Sequence, residues 1–176
     1  AQRKVVSENY RVDLGNEKLV VLGAPRLDTW SSDFVDLFKD EIRDLKAEFG
    51  DFILIVSNWG YWQGDKDLGF APDQVYPGYP HTAIRASFLK LIIAISEAFP
   101  ETTVVVRPHP QESADYWDQK AKDFPRNVNV ISRGPIGPWV HSAQVVIHNN
   151  CTTGLEAWAG GVATIAYSPM IEGDFE

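Results

Sequence analysis

Six short stretches rich in apolar residues punctuate the chain, at residues 18–22, 52–57, 103–107, 128–131, 144–148 and 162–167. Several have almost no polar alternation, as in Phe52-Ile53-Leu54-Ile55-Val56 and Val104-Val105-Val106, and such runs mark strands buried on both faces. Between them the period changes. Phe34, Leu37, Phe38, Ile42, Leu45 and Phe49 recur at three and four residues, predicting one amphipathic helix capped by Ser32 or Asp33. A second helix is predicted over 83–99, with Ile84, Phe88, Leu91, Ile92, Ile95 and Phe99 as its core stripe and Pro100 as its stop. Shorter helices fit 113–124, 137–142 and 152–159, the last closed by Gly160-Gly161. Strand and helix alternate along the chain, which predicts an α/β domain with a parallel sheet of about six strands and helices on both faces.

Composition sharpens that picture. With 176 residues, 44% of them hydrophobic, the chain can bury the core of one domain. Residues 1–16 are polar and are expected to connect to a preceding domain, with 17–176 as the folded unit. The last residues, 170–176, follow Ser168-Pro169 as a loop, so the sequence looks like one half of a two-domain protein with ligand in the cleft between halves. The net charge of -8 argues against a broad nucleic-acid footprint, because phosphate backbones are gripped by clustered Lys and Arg. Cys151 is the single cysteine, so no intrachain disulfide forms and a reducing, cytoplasmic setting is expected. No apolar stretch approaches the roughly 18 residues that cross a bilayer, so contact with the inner face of the cytoplasmic membrane would be peripheral. Residues 61–79, rich in Gly, Pro, Tyr and Asp, are expected to form one long loop of a kind that is usually functional or mobile.

The richest chemistry lies where the fifth apolar run ends in His148-Asn149-Asn150-Cys151 and Thr152-Thr153-Gly154 opens a helix. The first turn of a helix leaves backbone N–H groups without partners and carries about half a positive charge, which suits an anion, phosphate above all. Thr152 or Thr153 would cap the helix or bond a phosphate oxygen, and Gly154 would let a ligand approach the backbone. An ordinary capped helix after a buried strand fits this segment equally well. The same dipole would lower the thiol pKa of Cys151, although no neighbouring base pattern supports a nucleophile there.

A second candidate site breaks the tie. Val104-Val105-Val106 stops abruptly at Arg107-Pro108-His109-Pro110-Gln111-Glu112-Ser113, and ligands of open α/β sheets sit beyond the carboxyl ends of strands. Pro108 and Pro110 fix φ on either side of His109 and so preset its direction. Arg107 suits bidentate phosphate binding, or serves as an ion-pair partner for one of the many carboxylates. The bland alternative for His109 is a hydrogen bond to a neighbouring carbonyl before a helix capped by Ser113. Asn58, at the end of the second run, either approaches the ligand or closes a turn on its own backbone. No close cluster of His, Cys, Asp and Glu has metal-ligand spacing, so no metal is inferred.

These residues resemble the C-terminal nucleotide-sugar-binding domain of GT-B glycosyltransferases, in particular bacterial surface-carbohydrate biosynthesis proteins of capsule, lipopolysaccharide and O-antigen pathways related to Kdo transferases. The resemblance rests on Gly23-Ala24-Pro25-Arg26-Leu27-Asp28, residues 53–58, Arg107–Pro110, Gly134-Pro135-Ile136 with Trp139, and residues 148–156, and spans most of the chain. It implies a Rossmann-like domain, one half of a GT-B fold. It implies that His109-Pro110 and Thr152-Thr153 jointly hold a cytidine nucleotide, as in CMP-Kdo, with Asn149, Asn150 and Gly154 beside them. It further implies that the loop of Gly134, Ile136 and Trp139 meets the base and that Glu156 reaches a ribose hydroxyl. Ala24 stands where this family carries Asn. The partners implied are a nucleotide sugar, a glycan acceptor and an N-terminal domain supplying the catalytic carboxylate, with no cofactor beyond the donor itself; the isolated chain would then be inactive.

Three other readings compete. CDP-glycerol polymerases share the cytidine leaving group and the His-Pro loop, and UDP-sugar 2-epimerases share the architecture and a glycine-hydroxyl helix start. A glycan-binding or interaction module would use Trp59, Tyr61 and Trp62 as stacking platforms, leaving both anion-suited loops unexplained.

Overall fold

In the computed structural model, strands β1 (Phe52–Val56), β2 (Thr103–Arg107), β3 (Val128–Val130), β4 (Val145–His148) and β5 (Ala163–Ala166) form one parallel sheet in the order β3-β2-β1-β4-β5. The structure describes residues 24–58, 81–110, 112–149 and 151–169. The expected strand at 18–22, the connector at 1–16, the loop at 61–79 and residues 170–176 lie outside the described residues. The helices are α1 (Pro25–Asp28), α2 (Lys39–Phe49), α3 (His81–Ala98), α4 (Ala114–Ala121), α5 (Ile136–Ser142) and α6 (Thr152–Ala159).

The unbroken apolar run of β1 has a direct structural counterpart, since all five of its residues are buried at the centre of the sheet. Strand side chains alternate between faces, and here both faces are covered. Ile53 and Ile55, with Val104, Val106 and Ile147, pack against Ile84, Phe88 and Ile92 of α3 and Trp117 of α4. Phe52, Leu54 and Val56, with Val105 and Val146, pack against Leu45 of α2, Trp139 and Val140 of α5 and Ala157 of α6. Each such side chain contributes about 2 kcal/mol by leaving water, so the two clusters hold the sheet between its helical layers.

Strand ends differ from the expected ones by a residue or so, and Ser113 caps α4 as expected, its hydroxyl accepting the Tyr116 N–H at 3.3 Å. The helix expected from the Phe34 to Phe49 stripe is not one helix. Residues Ser32–Phe38 wind as a tighter 3-10 turn, and α2 begins only at Lys39. Neither Ser32 nor Asp33 caps it; Ser31 precedes the 3-10 turn without a side-chain cap. At three residues per turn the stripe rotates out of register, which leaves Leu37 71% exposed and Leu45 as the fully buried member.

From β1 the chain moves outward to β2 and β3, then returns across the sheet to β4 and β5. The connections at the carboxyl ends of β1 and β4 therefore diverge, and a crevice opens between them.

Candidate functional site

A cavity of about 670 Å³ lies at that carboxyl edge. The ends of β1 (Val56, Ser57, Asn58) and β2 (Arg107 to Pro110), the turn at Gly134 to Ile136, and the start of α6 (Cys151, Thr152, Thr153) line it, joined by Glu156, Glu112 and Arg26. Two loops more than forty residues apart in sequence thus face one space.

The β2 end is a hydrogen-bonded scaffold. The His109 backbone N–H donates to Ser57 Oγ at 3.0 Å, and Ser57 Oγ donates to Glu112 Oε2 at 2.6 Å. The same Glu112 oxygen accepts Trp117 Nε1–H at 2.7 Å, and the Glu112 N–H donates to the His109 carbonyl at 2.8 Å. Hydrogen bonds to a carboxylate are about twice as strong as neutral ones, so this chain of contacts ties His109 to both β1 and α4. Two prolines leave the loop little other freedom.

Arg107 is directed elsewhere. Its side chain is 8% exposed, Nη2 donates to the Gly134 carbonyl at 2.8 Å, and Nη1 donates to the Arg133 carbonyl. The guanidinium lies over the Trp139 ring, 4.9 Å from its centroid, and Trp139 Nε1–H donates to the same Arg133 carbonyl at 3.1 Å. Burial, reinforced by the Arg133 charge, lowers the Arg107 pKa to about 10. The turn it holds passes through Gly134 at φ +71°, in the left-handed region that favours glycine. Arg107 lines the cavity while its donor fork secures the turn beside it.

The β4 end is held by packing. Asn149 is buried, and its Nδ2 donates to the Tyr167 carbonyl at 3.0 Å, joining the ends of β4 and β5. Gly154 corrects the sequence reading. A Cβ at this position would stand 2.1 Å from the His148 ring, so the missing side chain admits the His148 imidazole rather than a ligand. Cys151 occupies the N-cap of α6 without a capping side-chain bond, and Thr152 begins the helix. Burial raises the Cys151 thiol pKa, outweighing the Thr153 and Gly154 backbone N–H groups that lower it, which reverses the expected depression.

Of the sequence-predicted residues, Asn58, Arg107, His109, Pro110, Gly134, Ile136, Thr152, Thr153 and Glu156 meet at the cavity. Trp139 and Asn149 do not line it: Trp139 is core, packed against Phe49 and Phe52, and Asn149 is a strand-end brace. Asn150 lies outside the described residues. Ser57, Glu112 and Arg26 are lining residues to which the sequence assigned no role. Ser57 and Glu112 flank the motifs that were recognised, and the spacing of Glu112 three residues after His109 is the available signal. Arg26 belongs to the Gly-Ala-Pro-Arg stretch, and it forms an ion pair through Nη2 with Oε1 of the buried Glu156. Among the described residues, no group of His, Cys, Asp and Glu side chains is placed to hold a metal ion, and no helix is long and apolar enough to cross a membrane.

No family model matches the chain, and no curated protein matches its sequence. Solved structures do match it in fold. A structure of UDP-GlcNAc 2-epimerase from Methanocaldococcus jannaschii in complex with UDP-GlcNAc and UDP superposes with a TM-score of 0.57 at 13% identity, over 93% of this chain and 43% of that one. A second structure of that enzyme gives 0.59 at 13% identity, over 93% and 44% of the two chains. The Neisseria meningitidis UDP-GlcNAc 2-epimerase bound to UDP-GlcNAc gives 0.54 at 15% identity, over 98% of this chain and 42% of that one. The chain therefore has the Rossmann-like α/β architecture of one half of a GT-B fold. It spans less than half the length of the structures it matches.

Proposed function

We propose that this chain is the donor-binding domain of a GT-B glycosyltransferase that transfers a sugar from a nucleotide donor, a CMP-linked sugar such as CMP-Kdo, onto a bacterial surface polysaccharide. The observation that carries the reading is the convergence of the His109-Pro110 loop and the Thr152-Thr153 helix start on one cavity at the switch point of the sheet. The amides and dipole at the start of α6 suit the phosphate, and the hydroxyls of Thr152 and Thr153 add donors at the same end. As the glycosidic bond breaks, negative charge collects on the departing nucleotide phosphate, and donors fixed beforehand stabilise it without reorganising. Glu156 and the Gly134–Ile136 turn are assigned to ribose and base. The acceptor glycan and the catalytic carboxylate belong to a second domain, the reaction requires no cofactor beyond the donor, and the protein works in the cytoplasm, peripherally at the membrane's inner face.

The test is calorimetric titration of the 176-residue chain with CMP, CDP, UDP and NAD, repeated on His109→Ala and on Thr152→Ala/Thr153→Ala. CMP binding that both variants weaken by about tenfold or more, the worth of one charge-assisted hydrogen bond, is expected. Preference for UDP moves the assignment to a UDP-sugar enzyme, and CDP preference to a CDP-glycerol-type transferase. Transferase activity from these residues alone overturns the division of labour between two domains.

A further inference from the structure

We infer that Arg26, rather than Arg107, delivers positive charge to the donor phosphate, from a position held by Glu156. This rests on the nucleotide-binding reading of the same cavity. Among the described residues lining the cavity, the Lys and Arg side chains are Arg26 and Arg107. The two are in opposite states. Both Nη groups of Arg107 donate to backbone carbonyls, its face is covered by Trp139, and it is nearly inaccessible. Arg26 is 68% exposed, reaches the cavity from the short helix α1, and makes an ion pair through one Nη to a carboxylate that is 3% exposed.

A guanidinium carries five N–H donors in a planar fork, so one carboxylate oxygen occupies a small part of its capacity. The remaining donors match the oxygens of a phosphate, and one arginine bridging a carboxylate and a phosphate keeps both anions neutralised. Without it the cavity would present the buried Glu156 carboxylate to an incoming phosphate. Burial makes that arrangement costly, because an unpaired carboxylate out of water repels a second anion through a weakly screening medium. The α1 segment begins within the Gly-Ala-Pro-Arg stretch, at Pro25, and packs against α6, so the same contact places Arg26 near the helix start that faces the phosphate. Glu156 is then a positioning residue for Arg26 as well as a ribose contact.

The experiment compares each nucleotide with its own nucleoside, CMP with cytidine and UDP with uridine, so that the phosphate contribution is read as a ratio of affinities. The proteins are the 176-residue chain, Arg26→Ala, and Arg26→Ala/Glu156→Gln, each titrated at a temperature below its own cooperative thermal transition, so that all are compared folded. The expected result is a nucleotide-to-nucleoside ratio about tenfold lower in Arg26→Ala, with nucleoside affinity preserved, and a ratio that stays low in the double variant. If the double variant regains the original ratio, Arg26 only neutralises Glu156 and the direct contact is overturned. If Arg26→Ala weakens nucleoside and nucleotide equally, or weakens neither, the inference fails while the nucleotide-binding reading stands. If the unaltered chain binds no nucleotide, both fail together.

Discussion

The ends of β2 and β4 border the same cavity, yet one is organised by hydrogen bonds to charged groups and the other by shape. At the β2 end, Glu112, Ser57, Trp117 and the His109 amide form a linked set, and Arg107 fastens the neighbouring turn through two carbonyls. At the β4 end, the imidazole of His148 fills the space left by Gly154, and Asn149 bonds across to Tyr167. A hydrogen-bonded loop loses its geometry group by group as partners are removed. A packed junction tolerates no added atom, since close-packed interiors have nowhere to displace one.

The largest effect is therefore expected at the β4 end. Gly154→Ala places a methyl group inside the His148 ring volume and should destabilise the fold by about 3 kcal/mol, read as a fall in the urea midpoint at constant slope. His148→Ala in the same chain should recover part of that loss, because the two residues share one space; strict additivity of the two changes would refute the steric account.

At the β2 end the expected loss is smaller. Arg107→Met keeps the bulk over Trp139 but removes both bonds to the Arg133 and Gly134 carbonyls, and a cost of about 2 kcal/mol follows. Susceptibility of the 133–134 turn to proteolysis should rise with it, and an unchanged digestion pattern would show that the turn holds itself.

The smallest effect separates the two ends by pH. Burial holds the pKa of His148, and of His141 beside Trp30 and Phe38, below the ordinary 6.5. As pH falls below that value, the unfolded chain takes up protons that the folded chain refuses, so stability is full above about pH 6.5 and declines beneath it. The melting temperature should be a few degrees lower at about pH 5.5 than at about pH 7.5. In His141→Asn/His148→Asn the slope should flatten; an undiminished slope would assign the pH dependence to other groups.

Much of this architecture is legible in the sequence. Unbroken apolar runs such as 52–56 and 103–107 specify strands covered on both faces, and the Ser113 cap and the helix at 152–159 follow from local chemistry alone. The break at Lys39 was not legible, because Phe34 and Leu37 satisfy a helical period that the 3-10 winding does not use. His109, Thr152 and Thr153 could be named from motif, whereas Ser57, Glu112 and Arg26 could not. Their place at the cavity depends on partners that are distant in sequence, as in Ser57 with Glu112 and Arg26 with Glu156.

By itself, then, the sequence determined the alternation of strands and helices, the two-faced burial of the sheet and the presence of two polar strand ends, since each depends on periodicity or on chemistry within a few residues. The tertiary structure decided which polar groups are spent. Arg107, Trp139 and Asn149 carry side chains suited to a ligand, yet the fold commits them to carbonyls and core, and it leaves Arg26 reaching across from another helix. A donor's availability depends on what stands within about 3 Å of it, and that distance is set by packing between segments far apart along the chain.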